Sequence, residues 1–520
     1  MIGGLNWTGR LTIAAIFCAF GGVSGMEERA EAADLGGDCC ADLEERVAEL
    51  EATTARKGNK KVTVQVYGKV NKFTMWWDDG AEQNVYTEDN SYSSTRFGFR
   101  GTGKINDDWS GGYRMEMENR VAASNATDQF DDDNADDADG SIRVRHSYMF
   151  LKSKKYGETR LGLTSTPKDD IVKDTLVTEL QDTMFGDFDS MRSFILRPSG
   201  FNNAEGLRRL RWQDIARAYS SADQFDVSTR RNGVAYWSPE WHGFTASWGW
   251  FEDDIWSAAL RYKSPKEWEN WKIGAGFAYE DFRDERIQAG AGGAASRPNP
   301  PNSGRSFFKR DIKEWAGSAS VKHVPTGLFV YGEYSASEQD DSDTIGRGFF
   351  NGSSPPQMNA WDLQIGIQRE FEMFRLGELG ETAFFGGGGQ VIDGISCGGG
   401  FPGDSFNGNV SSAGSRIPPD CFIRGGGVDL ANVLVNSQIT GAEVNRWYLG
   451  LDQGIESAQM HLYTVYQHYE ADIDLITRGD GAFQCNAAGK KCEPVGGKLR
   501  RVFAPLDDFD LIYSGARIYF

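Results

Sequence analysis

From Lys61 onward the chain places apolar residues at every second position rather than at helical spacing, and that period restricts it to extended strands. Val62, Val64, Val66 and Val70 alternate with Thr63, Gln65, Tyr67 and Lys69, and Trp271, Ile273, Ala275 and Phe277 alternate with Lys272, Gly274 and Gly276. Trp361, Leu363, Ile365 and Ile367 repeat the pattern, as do Trp447, Leu449 and Leu451. A soluble sandwich would bury such faces. Here no amphipathic helix accompanies the sheet, and the segments reach the roughly 9 to 11 residues that a tilted strand needs to cross a bilayer. The pattern predicts apolar side chains outward and polar ones inward around a closed wall.

A mean hydropathy of −0.50 does not oppose this reading. After residue 25 no apolar run approaches the roughly 20 residues of a spanning helix, which excludes only a helical membrane protein. A transmembrane strand exposes alternate side chains to lipid, so a barrel is hydrophilic on average. Aromatic content of 12% and 63 glycines suit the interfacial girdles and tight turns of such a barrel.

Segments of this kind number about sixteen, the even count of a single-chain bacterial barrel. They begin near Val62, Thr95, Gly111, Ser141, Glu158, Arg231, His242, Asp254, Trp271, Lys313, Thr326, Ala360, Gly380, Glu443, Ser457 and Phe509. Short connections (Ile105 to Ser110, Lys152 to Gly157, Ser238 to Trp241) alternate with long ones (Ala122 to Gly140, Ser165 to Arg230, Val391 to Ala442). Short turns at one end and long loops at the other are the barrel's asymmetry, with the amino terminus on the short-turn side. Two links depart from it: Phe251 to Asp254 is short for its end, and Arg369 to Leu379 is long.

The last strand, Phe509 to Phe520, sets Ile512, Ser514, Ala516, Ile518 and Phe520 on one face and Tyr513, Gly515, Arg517 and Tyr519 on the other. A terminal Phe after spaced apolar residues resembles the tag read by the outer-membrane barrel-assembly machinery. At the other end Leu11 to Phe20 is an apolar stretch after Arg10, followed by Ala30-Glu31-Ala32, which predicts a signal peptide over 1–32. Residues 33–60 hold the clearest helical pattern, with Leu43, Val47 and Leu50 at seam spacing. Two heptads are too few to be stable alone, so this leader is either a fraying amphipathic helix or a small periplasmic coiled coil supported by oligomerisation. The barrel is expected over 61–520.

Losing Cys18 with the signal leaves six of the seven cysteines, an even number in an exported chain. Cys397 and Cys421 share one Gly-rich segment and Cys485 and Cys492 another, so two local bridges are the simplest pairing; Cys39 and Cys40 are vicinal and poorly placed to bond each other. No zinc-like CxxC pair or neighbouring His points to a metal. The acidic run Asp131 to Asp139 lacks calcium-loop spacing, because an acid would be needed at Ala135 and a Glu at His146. A net charge of −20 argues against nucleic acid.

Four strings add a resemblance. SSTRFGFRGTG (93–103), GETRLGLTSTP (157–167) and RRNGVAYWSPEWHGF (230–244) resemble, in order, strands of the general diffusion porins of Gram-negative outer membranes. The leader DCCADLEERVAELEATTARKGNKKV (38–62) looks like that of alphaproteobacterial, rhizobial-type porins. The resemblance implies a 16-stranded antiparallel β-barrel with an inward-folded third loop, a homotrimer in outer-membrane lipid and lipopolysaccharide, and passage of small hydrophilic solutes without a cofactor. It also implies that Ser165 to Arg230, with Asp169, Asp170, Asp174, Glu179, Asp182, Asp187 and Asp189, enters the lumen as an acidic constriction.

Parity supplies the opposite wall. With Phe97, Phe99, Tyr113, Met115, Met117, Leu161 and Leu163 outward, Arg96, Arg100, Arg114 and Arg160 point inward; with Val144, Tyr148 and Phe150 outward, so do Arg143 and Arg145. A lipid-facing Arg would cost about 2 to 4 kcal/mol at the midplane. These arginines form either a basic ladder facing the loop or partners that rigidify the wall through Glu116 and Glu118. A solute-selective channel for phosphate, sugars or small acids is the alternative function, marked by a continuous basic or aromatic stripe. An enzyme is disfavoured: His146, His242, His323, His461 and His468 belong to no recognisable Ser/His or Asp/His constellation.

Overall fold

The structure is a computed structural model that describes residues 61–119, 121–125, 127–129, 142–172, 176, 191, 193–197, 211–212, 215–216, 230–252, 254–288, 307–340, 358–370, 379–393, 422–423, 437–478, 483–485, 492–494 and 499–520. The expected signal and leader segments over 1–60, with Leu43, Val47 and Leu50, lie outside the described residues, as do Cys397, Cys421 and the acidic run Asp131 to Asp139.

Sixteen antiparallel strands close the wall. They are β1 (Gln65–Asp78), β2 (Arg96–Lys104), β3 (Trp109–Glu118), β4 (Arg143–Ser153), β5 (Gly157–Ser165), β6 (Arg230–Trp237), β7 (Phe244–Phe251) and β8 (Ile255–Lys263). The second half comprises β9 (Trp271–Gln288), β10 (Phe307–His323), β11 (Leu328–Asp340), β12 (Met358–Glu370), β13 (Leu379–Ile392), β14 (Ser437–Ile455), β15 (Met460–Arg478) and β16 (Phe509–Tyr519). Each pairs with its successor, and β1 closes on β16 from Lys69 opposite Tyr519 to Asp78 opposite Asp510. Phe520 completes the seam by exchanging backbone hydrogen bonds with Gly68, 2.9 and 3.1 Å. Closure pairs β1 with both β2 and β16, so that the sixteen described strands form a continuous ring, the condition for a strand structure in lipid.

Every expected strand exists. The largest offsets are at β10 and β14, which begin at Phe307 and Ser437, ahead of the expected Lys313 and Glu443. Their first residues belong to long hairpin arms at the long-loop end, where a strand in water needs no apolar alternation. The short Phe251 to Ile255 link and the long Glu370 to Leu379 link are retained. A further strand, Gln83–Asp89, pairs with the long-loop half of β1, and Leu499–Pro505 pairs antiparallel with Asp472 to Arg478 at the end of β15.

Outside, Trp361, Leu363, Ile365, Trp447, Leu449 and Phe277 are exposed, as the alternation requires. Inside, the polar-in expectation fails in one sector. Phe73, Met75 and Trp77 of β1, Val465 of β15 and Leu511 and Tyr513 of β16 point inward and are buried with Phe194, Trp212 and Ile215 of the insertion between β5 and β6. An apolar inner face is stable there because the insertion covers it and removes it from water.

Candidate functional site

The six arginines named by parity all lie on the inner face of β2 to β5, and Glu116 of β3 is their centre. Its side chain is 1% exposed. Arg114 Nη2 reaches Glu116 Oε2 at 2.6 Å, Arg145 Nε reaches Oε1 at 3.1 Å, and Arg96 Nη1 stands 3.8 Å away. Tyr67 of β1 donates to the same carboxylate at 3.0 Å and accepts from Arg114 Nε at 2.7 Å. Arg145 also binds Glu118 at 2.6 Å, which accepts from Ser94 at 2.9 Å. Gly98 makes room for the Tyr67 ring, since a Cβ there would stand 2.7 Å from the Tyr67 hydroxyl.

One part of the parity reading is corrected. Tyr148 is buried on the inner face and Phe150 shares that face, while Met149 and Leu151 are exposed outside at 60% and 44%. The register between β3 and β4 slips at Arg145: Glu116 pairs with His146 and Met117 with Val144. The extra residue of this bulge sends both Arg145 and His146 inward and reverses the alternation below it. Strict alternation carries no sign of an inserted residue.

The remaining arginines have other partners. Arg160 binds Glu158 at 2.7 Å, and its guanidinium lies 3.8 Å over the Trp237 ring and 5.2 Å over Tyr148. Arg100 donates to Gln65 at 2.9 Å and lies 5.1 Å over Tyr67. Neither Arg100 nor Arg143, both exposed, has a carboxylate partner among the described residues.

The insertion over 166–229 is anchored to two separate sectors of the inner wall. Near β8 to β11, Lys168 is ion-paired with Glu314 and, at 3.4 Å, with Glu280. Arg261 donates to the Pro167 and Asp169 carbonyls at 2.9 Å, Ser318 to Ile171 at 2.8 Å, and Tyr331 to Val172 at 2.5 Å. At the β1 and β16 sector, Phe194 packs edge-on against Trp77 at 5.1 Å and Phe509 at 5.0 Å. Arg197 binds Asp79 there at 2.7 Å.

Of the expected loop acids, Asp169 is buried and ion-paired with Arg230 at 3.6 Å, and Asp170 is exposed. Asp174, Glu179, Asp182, Asp187 and Asp189 lie outside the described residues. Sequence reasoning missed Lys168, whose partners Glu280 and Glu314 come from distant strands, Arg230, whose partner Asp169 stands at the start of the insertion, and the ring partners Tyr67, Tyr148 and Trp237. Parity did place Tyr67 on the polar face; nothing local indicated that two guanidiniums would stack on it.

Over residues 47–480 the chain matches the family described as Gram-negative porin. Among solved structures it resembles an anion-selective porin from Comamonas acidovorans, at 12% identity over 88% of this chain and 100% of that one, with a TM-score of 0.46. It also resembles the trimer form of in-vitro folded OmpT, an outer membrane protein of Vibrio cholerae (13% identity, 89% and 100% covered, TM-score 0.43). Salmonella typhi OmpF in complex with daunomycin is similar too (13% identity, 89% and 99% covered, TM-score 0.39). No curated protein sequence matches the chain. A family match over that much of the chain, joined to a closed wall of sixteen strands, makes this protein a Gram-negative porin of the outer membrane.

Proposed function

We propose that this porin is a water-filled channel for passive diffusion of small hydrophilic solutes and ions, with its charge bias set where the acidic 165–230 segment faces the basic wall. One observation carries the reading. Of six guanidinium groups on four adjacent strands, four (Arg96, Arg114, Arg145 and Arg160) share the wall carboxylates Glu116, Glu118 and Glu158, while Arg100 and Arg143 have no carboxylate partner among the described residues, which leaves an excess of positive charge on that side. Opposed charges across a narrow aqueous passage set up a transverse field that orients water and sorts ions without tight binding. Diffusion of this kind needs no catalytic group and no cofactor.

The same reading includes a homotrimer held in part by the Leu43, Val47 and Leu50 seam, assembly through the Phe520 tag, external carboxylates against lipopolysaccharide, and a leader of the rhizobial type. The test is the reversal potential in a salt gradient. Neutralising Arg100 and Arg143 together, the two without carboxylate partners among the described residues, moves preference toward cations; neutralising Asp170, Asp174 and Asp182 moves it toward anions. Both shifts shrink at 1 M salt, where the Debye length is about 3 Å. Parental reversal potentials in both variants at low salt would remove these residues from the selectivity zone.

A further inference from the structure

The arginines of the basic wall are interleaved with aromatic rings. Around β1 to β5 the register sets Gln65 opposite Arg100, Arg100 opposite Arg114, and Arg114 opposite Tyr148. The guanidiniums of Arg100 and Arg114 lie 5.1 and 5.4 Å over the Tyr67 ring. Two register positions nearer the short-turn end, Arg160 is stacked on Trp237 at 3.8 Å and Tyr148 at 5.2 Å. Flat cationic and flat aromatic surfaces therefore alternate along one wall.

These surfaces are fixed in place. The Tyr67 hydroxyl is tied to Glu116 at 3.0 Å and to Arg114 at 2.7 Å, so the ring presents one orientation to both guanidiniums. Among the described residues Arg100 is hydrogen-bonded through Nε alone, to Gln65, and its exposed side chain keeps both Nη groups off any described partner. A guanidinium with its Nη edge open offers a carboxylate a forked pair of donors, and its plane offers a π-system a stacking surface.

We infer that Arg100, Tyr67 and Arg114 form a subsite for planar aromatic carboxylates, with the Arg160–Trp237 stack as the next station toward the short-turn end. The carboxylate meets the Arg100 Nη edge while the ring lies along the Arg114 and Tyr67 planes. A saturated carboxylate of equal charge and similar size obtains only the first contact. The inference rests on the anion-attracting wall proposed above and adds a shape preference to it.

Planar-bilayer recordings with the purified full-length channel test this by comparing current block by benzoate and by cyclohexanecarboxylate. Benzoate is expected to reach half-block at a concentration about two- to fivefold lower, the range an exposed cation–π contact supplies. Tyr67→Leu combined with Arg114→Lys keeps every charge and loses both planes along which the ring lies, so it should erase the difference between the two blockers. Equal block by both anions in the parent channel, with the shift on neutralising Arg100 and Arg143 still seen, overturns the subsite and leaves the charge-bias reading standing. So does a benzoate advantage that survives in the Tyr67→Leu, Arg114→Lys variant. An unchanged low-salt reversal potential after neutralising Arg100 and Arg143 overturns the charge-bias reading and the subsite with it.

Discussion

Glu116→Gln is the substitution that most directly exposes the electrostatics of the wall. It keeps an acceptor oxygen for Arg114 and Tyr67 but removes the one charge that faces Arg114, Arg145 and Arg96 at 2.6, 3.1 and 3.8 Å. The wall then gains one unit of net positive charge. At about 10 Å, a distance typical of an ion passing the wall, a unit charge contributes about 0.4 kcal/mol in bulk water and about 1.7 kcal/mol at an effective dielectric of 20. In 10 mM salt, with a Debye length of about 30 Å, roughly 70% of this survives, enough to raise the local anion concentration by about 1.6- to 8-fold. In 1 M salt a screening length of about 3 Å reduces it to under about 0.1 kcal/mol. The assay is the reversal potential in a tenfold salt gradient, run at low and high ionic strength, with Glu116→Asp as the charge-retaining control. A shift toward anions at low salt that vanishes at high salt is expected in Gln and absent in Asp. An unchanged low-salt reversal potential, with heat-modifiable mobility showing an intact barrel, would mean that permeating ions do not sense this cluster.

The register sets Cys485 directly opposite Cys492 in a short hairpin, a separation that suits a disulfide, so non-reducing peptide mapping should recover the two peptides joined; free thiols there would reject the bridge. Replacing Leu43, Val47 and Leu50 by Asp should weaken trimers in detergent electrophoresis while leaving conductance, and unchanged trimers would dismiss the seam. Burial pushes the Glu88 carboxyl, on the non-spanning strand Gln83–Asp89, up to about 8. An acid whose folded pKa is raised favours the fold most below its unfolded value, and that contribution is lost as pH climbs toward 8. Protection of 83–89 from proteolysis should therefore fall between pH 5 and 8 in the parent and stay level in Glu88→Gln; parallel profiles would contradict this.

The alternation of apolar residues, the spacing of short and long links, and the inward parity of Arg96, Arg100, Arg114 and Arg160 were legible in the sequence because each follows from one local rule. A strand in lipid must turn every second side chain outward, and a charged one turned outward is costly. The same rule broke where a residue was inserted: at Arg145 the slip against Glu116 and Met117 turned Tyr148 inward, and only pairing between strands reveals such a slip. Strand ends at Phe307 and Ser437 were missed because the hairpin arms carry no lipid-facing pattern. The strings shared with the porin family pointed to the fold and the insertion. What the insertion touches came from long-range contact alone, as in the Lys168 pairs with Glu280 and Glu314 and the packing of Phe194 against Trp77.

The sequence by itself determined a closed antiparallel barrel and the face on which its charges lie, since both depend on a period of two and on the energy of placing each side chain in lipid or water. The tertiary structure decided which arginines are neutralised by Glu116, Glu118 and Glu158, which are stacked on Tyr67, Tyr148 and Trp237, and where the inner face becomes apolar. Those outcomes depend on distances between residues far apart in the chain, and Coulomb, stacking and burial energies change over a few ångströms that no sequence period encodes.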